Sequence, residues 1–311
     1  MKKFLFLAIV GVFICSIVNG QDYETFTVDI WDEHYIPLNK EHISLTETAD
    51  STGKRISQIS VPRLYVYRKK HINQQGPTLL YIPGGGYSVV MLRNNGESVA
   101  RHFMGLGFDV VAVLKYRLPD SRIVNEQHKV PLYDAQMALA LLHRNSAQWH
   151  VDKEKIAVLG SSAGGHLAAC LANLKNDIVA PGVNSEELEQ AVSILIYPVI
   201  SFNLPYRHSG SYKRLLGERS EDNTLLDYYS MENSVSMQTP PTYLIHSVDD
   251  ATVPHQNSEL YLNKLVEFNV KNGYLKLKKG GHGFGLNFSK TGVEWTAELK
   301  NWLDGIEFFE N

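Results

Sequence analysis

Short apolar runs alternate with longer segments of helical periodicity along most of this chain. The runs that predict strands are Gln58 to Arg68, Pro77 to Pro83, Asp109 to Tyr116, Lys155 to Gly160, Val192 to Pro198, Pro241 to Ser247 and Tyr274 to Lys279. The segments that predict helices are Ser98 to Gly107, Pro131 to Asn145, Ser258 to Asn269 and Val293 to Leu303. Several strand runs are continuously apolar, which is typical of strands covered on both faces. The alternation predicts an α/β fold with a mostly parallel central sheet flanked by helices.

The first twenty residues differ from the rest and predict a cleaved export signal. Lys2 and Lys3 precede an apolar stretch from Phe4 to Val18, and the small Gly20 suits a cleavage site. A membrane anchor is the alternative, but the stretch is shorter than the ~20 apolar residues that a bilayer requires. We therefore expect removal of residues 1–20 and export of the protein to a bacterial periplasm or out of the cell.

Composition narrows the classes of protein further. The chain has 311 residues, 44% of them hydrophobic, so we expect residues 21–311 to form one large domain. Loss of Lys2 and Lys3 would take the formal charge from −3 to −5, and loss of Cys15 would leave Cys170 without a disulfide partner. An acidic chain without basic clusters argues against a nucleic-acid partner. No metal-binding motif is present, so we expect no metal and no cofactor.

The segment from Gly160 to Gly164, GSSAG, matches the pattern G-x-S-x-G and lies between a predicted strand and a helix-forming run. In that context a sharp turn raises the central hydroxyl at a helix N-terminus, where free N–H groups favour developing negative charge. Ser162 is therefore the candidate nucleophile, whereas Ser161 and the nearby His166 are expected to pack. A structural glycine–serine turn is the alternative, since the pattern arises by chance in roughly one chain in ten.

A run of glycines follows the strand that ends at Pro83 and supplies candidate donors for an oxyanion hole. Acyl transfer requires two N–H groups aimed at the tetrahedral oxyanion. One can come from Ala163, directly after the candidate nucleophile, and the other from Gly85 or Gly86, where the backbone can approach a substrate closely. Tyr87 comes next and is a candidate substrate contact. The alternative is a turn without chemistry.

An acid and a histidine follow two later strands, in the chain order expected for this chemistry. Asp249 and Asp250 come directly after the strand that ends at Ser247, and His282 lies in a glycine-rich loop after the last strand. The acid would orient the imidazole and stabilise its charged form. Asp250 is preferred because Val253-Pro254 follow it, and Asp249 is then interpreted as a turn residue.

PGGGY, GSSAGGH, DDATVP and GGHGFG, in this order, resemble the α/β-hydrolase superfamily over nearly the whole mature chain. They look most like its secreted carbohydrate-esterase branch, similar to acetylxylan esterase-like hydrolases. Pro83 departs from the histidine that many lipases carry before the glycines, which argues against a lipase. The resemblance implies an α/β-hydrolase fold and a serine esterase that removes acetyl or similar small acyl groups from plant polysaccharides or oligosaccharides. A feruloyl esterase, a formamidase, a prolyl-oligopeptidase-like peptidase and a non-catalytic binding protein are the alternatives.

The segment from Ser201 to Gln238 is too long for a plain turn. It is rich in tyrosine, arginine and histidine, side chains suited to stacking on sugar rings and bonding their hydroxyls. We interpret it as a possible short cap over Ser162, with Tyr206 and His208 as candidate substrate contacts. A surface excursion with its own packing is the alternative.

Overall fold

The computed structural model describes residues 22–32, 34–177 and 180–310. The predicted export signal, residues 1–20, lies outside these ranges. Eleven strands occur within them: β1 Tyr23–Asp29, β2 Thr48–Ala49, β3 Arg55–Ser57, β4 Arg63–Lys69, β5 Gly76–Ile82, β6 Val90–Met91, β7 Val110–Lys115, β8 Val151–Ser161, β9 Val192–Ile196, β10 Thr242–Ser247 and β11 Asn272–Leu277. The nine α-helices of the same ranges are α1 Glu97–Leu106, α2 Val130–Arg144, α3 Ser146–Trp149, α4 Ala163–Asn173, α5 Ser209–Leu216, α6 Asn223–Tyr228, α7 Gln256–Glu267, α8 Phe288–Thr291 and α9 Trp295–Gly305.

Eight strands form one sheet in the order β1-β4-β7-β5-β8-β9-β10-β11. The six strands from β7 to β11 in this order are parallel, whereas β4 runs antiparallel to both β1 and β7. Strands β2, β3 and β6 form a small antiparallel sheet of their own. Because these strands are parallel, the loops after β5, β8, β10 and β11 all lie at the carboxyl edge of the sheet. Ligands of open α/β sheets bind at that edge.

Two groups of helices pack on the sheet and cover its apolar side chains. Helix α4 packs on β8 and β9, and α2 packs on α4. Helices α1 and α9 meet through Phe103 and Trp295, whose ring centroids are 6.4 Å apart. All residues of β7, β9 and β10 are buried, which confirms the prediction of strands covered on both faces. The predicted mostly parallel sheet with flanking helices is therefore confirmed.

The segment from Ser201 to Gln238 contains α5, α6 and two short 3-10 turns. It packs firmly on the sheet domain, because Tyr212, Tyr229 and Met231 are at most 2% exposed. Its amide and carbonyl groups also bond to neighbouring elements, as between Met231 N–H and the carbonyl of Ile200 at 3.1 Å. Among the described residues, none of the helices combines the length and the apolar character that crossing a bilayer requires.

Candidate active site

Ser162 occupies the sharp turn between β8 and α4. Its φ of +56° is unusual for a residue with a side chain, and such strain is typical of functional turns. The turn packs tightly against the loop after β5, because a Cβ atom on Gly164 would lie 2.2 Å from the carbonyl oxygen of Ile82. Position 164 therefore requires glycine. Because Ser162 directly follows β8, its side chain lies at the carboxyl edge of the sheet.

Three side chains from three loops form one hydrogen-bonded chain. Ser162 Oγ lies 2.8 Å from His282 Nε2, and His282 Nδ1 lies 2.7 Å from Asp250 Oδ2. Because the carboxylate accepts from Nδ1–H, the neutral imidazole presents an unprotonated Nε2 to the serine hydroxyl. The structure thus brings together the serine, histidine and acid that the sequence nominated.

Asp250 is held as a carboxylate by several donors. Its Oδ1 accepts the backbone N–H groups of Thr252 and Val253, each at 2.9 Å. Nε2–H of the buried His246 lies 3.0 Å from the carbonyl of Val253 and 3.3 Å from Asp250 Oδ2. Burial raises the pKa of Asp250, but the bonds from His246, His282 and Val253 outweigh it and hold that pKa well below its usual range.

Asp249 has a different set of partners and does not contact the imidazole in the triad. Its carboxylate accepts the N–H groups of Gly280 and Gly281, at 3.3 and 2.8 Å, and the hydroxyl of Ser247. The bond from Ser247 and those from the glycines lower the pKa of Asp249. Asp249 therefore ties the loop that carries His282 to the end of β10, a role that its interpretation as a turn residue missed.

Tyr197 is a second residue of the site that sequence reasoning missed. Its ring centroid lies 4.8 Å from that of His282, and its hydroxyl accepts the N–H of Gly285 at 3.3 Å. The residue follows β9 with a φ of +38°. Its position directly after the buried parallel strand β9 could have suggested a place at the site. The local sequence does not show that the Tyr197 ring packs on the loop that carries His282.

The predicted oxyanion donors belong to the serine turn itself and to the glycine run that abuts it. The N–H of Ala163 is the first of α4 and has no intrahelical acceptor. Gly84, at the start of the glycine run, abuts the turn, since a Cβ atom there would lie 3.0 Å from that of Ser162. Gly85 and Gly86 follow with φ values of +143° and +62°, and position 85 requires glycine because a Cβ atom there would lie 1.9 Å from the carbonyl oxygen of Val89.

Tyr87 corrects one expectation. We expected its side chain to contact substrate, but only 2% of the residue is exposed and its hydroxyl lies 2.8 Å from Nδ1 of His166. His166 is fully buried, as expected for a packing residue, and its ring stacks on Phe202 at 4.4 Å. Burial lowers the pKa of His166 to about 4, so the ring stays neutral. Tyr87 therefore links the end of the glycine run to α4 through His166.

Tyr206 and His208, the other two candidate substrate contacts, are both partly exposed. The carbonyl of Tyr206 accepts from the side chain of Asn257 at 2.9 Å, which fixes the backbone there. His208 precedes α5, and its Nδ1 accepts the N–H of Ser211 at 3.2 Å. Burial lowers the pKa of His208, and the charges of His282 and Arg214 lower it further. His208 therefore lies near the triad, whereas no contact joins Tyr206 to it.

Residues 22–32, 34–177 and 180–310 contain no group of three or more histidine, cysteine or acidic side chains arranged to hold a metal ion. Nucleophilic acyl transfer uses a serine hydroxyl, a histidine oriented by a carboxylate, and N–H groups beside the serine. The arrangement around Ser162 fits this chemistry.

The fold and the site define the class of protein as an α/β hydrolase. A crystal structure of an acetyl ester-xyloside bifunctional hydrolase from Caldicellulosiruptor lactoaceticus matches with a TM-score of 0.74 and 32% identity, over 91% of this chain and 97% of that one. The BD-FAE family model matches residues 64–265, which is more than half of the chain. The chain therefore belongs to the BD-FAE family, and the predicted α/β-hydrolase fold is confirmed.

Two curated relatives are named for activities on xylan. Endo-1,4-beta-xylanase B of Butyrivibrio fibrisolvens is 31% identical over 225 residues, which is 72% of this chain and 34% of the relative. Acetylxylan esterase of Xylanibacter ruminicola is 28% identical over 238 residues, which is 75% of this chain and 46% of the relative. The chain thus spans less than half of the length of either relative. The name of the Xylanibacter ruminicola relative agrees with the predicted class, a carboxylic ester hydrolase.

Proposed function

We propose that this protein is a serine esterase that removes acetyl or similar small acyl groups from plant polysaccharides or oligosaccharides such as acetylated xylan. The hydrogen-bonded chain from Ser162 through His282 to Asp250 carries the proposal, with distances of 2.8 and 2.7 Å. The names of the relatives support the choice of a carbohydrate ester as substrate.

In the proposed mechanism Ser162 Oγ attacks the ester carbonyl while its proton passes to His282 Nε2. The imidazolium is stabilised by Asp250, which stays ionised because its pKa is lowered. The N–H group of Ala163 and that of Gly85 or Gly86 hold the oxyanion. His282 then donates its proton to the departing sugar hydroxyl, and an acyl-serine remains.

Water resolves the acyl-enzyme by the same steps. His282 removes a proton from the water as it attacks the acyl carbon, and the same N–H groups hold the second oxyanion. Collapse of this intermediate releases acetate and returns the proton to Ser162. No metal or cofactor takes part in the proposed sequence.

Acetate release from acetylated xylo-oligosaccharides tests the proposal, with Ser162→Ala and Ser161→Ala as a matched pair. Ser161 is the adjacent serine, and its Oγ is 3.4 Å from the hydroxyl of Tyr81. We expect release by the wild type, retention of most activity by Ser161→Ala, and a loss on the order of 10⁴-fold or more in Ser162→Ala.

A panel of other acyl substrates separates the neighbouring chemistries. Feruloylated oligosaccharides, a formamide and a prolyl peptide would be offered beside the acetylated substrate. Ser162-dependent cleavage of one of these in preference to the acetyl ester would keep the triad and reassign the acyl group. Absence of Ser162-dependent turnover on the whole panel would favour the non-catalytic binding protein.

We also propose that the protein is exported after removal of residues 1–20. The basic start and the apolar stretch of the sequence support this, as does the expectation that a polysaccharide substrate lies outside the cell. Determination of the N-terminal residue of protein recovered from the periplasm or medium of a bacterial host is expected to return Gln21. Protein that keeps Met1 and stays in the cytoplasm would contradict export.

A further inference from the structure

A cavity of about 420 Å³ lies beside the glycine run and is not part of the triad. Its wall comes from five short segments: Ser57 and Gln58, Tyr87 and Ser88, the loop 118–122 after β7, Gln127, and Lys213 with Arg214 on α5. Tyr87 is only 2% exposed and contributes little to this surface. Its volume is within the range of roughly 300–1,000 Å³ that is common for small-molecule sites. The cavity is therefore large enough to hold part of a substrate.

Two connections place this cavity next to the proposed reaction centre. Ser88 follows the glycine run whose first member, Gly84, abuts Ser162. On the other side, a Cβ atom on Gly210 would lie 3.1 Å from the His208 ring and 3.2 Å from Arg214 Nη1. The Arg214 guanidinium and the His208 ring are thus neighbours, and His208 in turn lies near the triad. The cavity therefore borders the glycine run on one side and the neighbour of His208 on the other.

The wall of the cavity is cationic although the chain as a whole carries a formal charge of −3. It contains three cations, Arg122, Lys213 and Arg214, and one carboxylate, Asp120. Asp120 is bound by Arg122 through two bonds of 2.8 and 2.6 Å, so these two charges compensate each other.

Lys213 and Arg214 have no such compensation. Neither forms an ion pair with a carboxylate of residues 22–32, 34–177 or 180–310; Arg214 Nη1 donates a hydrogen bond to the carbonyl of Gly210 at 3.3 Å, which carries no full charge. The Lys213 Nζ lies 6.0 Å from the centroid of the Tyr212 ring. Two cations without a carboxylate partner therefore border the space beside the glycine run.

We propose that this cavity binds the carboxylate of an acidic sugar, so that the preferred substrate is an acylated oligosaccharide bearing a uronic acid close to its ester. The inference rests on the proposed esterase function. A guanidinium presents a planar fork that matches a carboxylate, and an ammonium adds a point charge. Ser88 and Ser121 lie in the same wall, and their hydroxyl oxygens can accept hydrogen bonds from sugar hydroxyls. A neutral xylan chain would leave both cations without a partner.

The test compares kcat/KM on an acetylated xylo-oligosaccharide bearing one glucuronic acid with that on the same oligosaccharide after reduction of the carboxyl to an alcohol. Cleavage of p-nitrophenyl acetate reports the amount of active enzyme in every sample. We expect the wild type to prefer the acidic substrate about tenfold, as two exposed charge contacts can together supply. The preference should fall with added salt.

Charge removal identifies the residues responsible. Lys213→Gln and Arg214→Gln should each reduce the preference, and the double variant should abolish most of it. Lys271→Gln is the matched control, because Lys271 is exposed and lies outside the cavity wall. It should keep the full preference.

Binding of the acidic oligosaccharide without its acetyl group, measured by calorimetry, gives a readout that needs no turnover. Weaker binding by the double variant than by Lys271→Gln would support the proposed carboxylate site in the cavity. This result would hold even if acetyl esters were not the substrate. Equal cleavage and equal binding of the acidic and neutral oligosaccharides by the wild type would overturn it. In that case Ser162-dependent cleavage of both would leave the proposed function intact.

Discussion

The hydroxyl of Tyr87 lies 2.8 Å from Nδ1 of His166, and this bond joins the glycine run to the helix that follows the nucleophile. Nε2 of His166 lies 2.8 Å from the carbonyl of Tyr229. A carbonyl only accepts, so we assign the proton to Nε2, and Nδ1 then accepts from the tyrosine hydroxyl. One buried neutral imidazole thus connects three segments around the site.

Replacement of Tyr87 by Phe removes this bond and keeps the ring. If the bond holds the oxyanion donors in place, kcat for acetyl-ester hydrolysis should fall about tenfold with little change in KM. Tyr261→Phe is the control, because its hydroxyl is also buried and bonded, to Asn173 at 2.7 Å, on another part of α4. Equal kcat values for the two variants would show that the bond serves stability alone.

The two adjacent aspartates should differ sharply in their effect on activity. Asp250→Asn removes the acceptor that orients His282, and kcat should fall on the order of 10⁴-fold. Asp249→Asn weakens only the attachment of the His282 loop, for which we expect a loss of about tenfold. Steady-state kinetics of both variants make the comparison. A larger loss in Asp249→Asn would mean that the acid of the triad has been misassigned.

The buried His166 should make the protein less stable in mild acid. Burial lowers its pKa from 6.5 to about 4, so the unfolded chain takes up the proton first as the pH falls. Its contribution is complete above pH 6.5 and is lost as the pH drops towards 4, by about 3 kcal/mol in the free energy of unfolding. Urea unfolding at pH 7.5 and 4.5 measures this difference.

The matched variants for that measurement are His166→Asn and His71→Asn. His71 is exposed, so its replacement should leave the pH dependence as in the wild type. His166→Asn should show a smaller loss of stability between the two pH values, whatever its stability at pH 7.5. An unchanged pH dependence in His166→Asn would be inconsistent with a lowered pKa.

Loss of the fully buried ion pair between Arg117 and Asp134 should lower the free energy of unfolding more than loss of an exposed ion pair. Arg117 Nη2 lies 2.7 Å from Asp134 Oδ1, and Trp31 Nε1–H donates to the same oxygen at 2.7 Å. Asp134→Ala leaves a buried guanidinium unpaired, which we expect to cost about 3–5 kcal/mol in urea unfolding. Asp29→Ala, which breaks an exposed pair with Arg63, should cost about 1 kcal/mol or less. Similar losses in both would contradict this assignment.

The parallel strands and the three side chains of the candidate triad were predictable from the sequence. Continuous apolar runs identified the parallel strands, and the chain order of serine, acid and histidine nominated three side chains that the fold brings within hydrogen-bond distance. Chain order suffices there because the ends of parallel strands converge at one edge of the sheet. The ends of the elements differ by a few residues, as for β8, which begins at Val151 rather than Lys155.

The features that sequence reasoning missed depend on contacts between distant segments. The edge strand Tyr23–Asp29 is defined by its pairing with β4 and has no continuous apolar run. Asp249 gains its role only when the His282 loop folds back to β10. Tyr87 was expected to face substrate, but its hydroxyl has a buried partner 79 positions further along the chain. None of these contacts has a local signal.

The central claim is that Ser162 is the nucleophile of an acyl-transfer reaction. Its most direct test is the intact mass of the protein after treatment with a serine-reactive phosphonate, followed by mapping of the labelled peptide. The adjacent Ser161 makes the assignment demanding, so Ser161→Ala and Ser162→Ala are treated in parallel. One label per chain on Ser162, absent from Ser162→Ala and kept by Ser161→Ala together with acetyl-ester hydrolysis, is the predicted result. Labelling and hydrolysis that persist in Ser162→Ala would contradict the account.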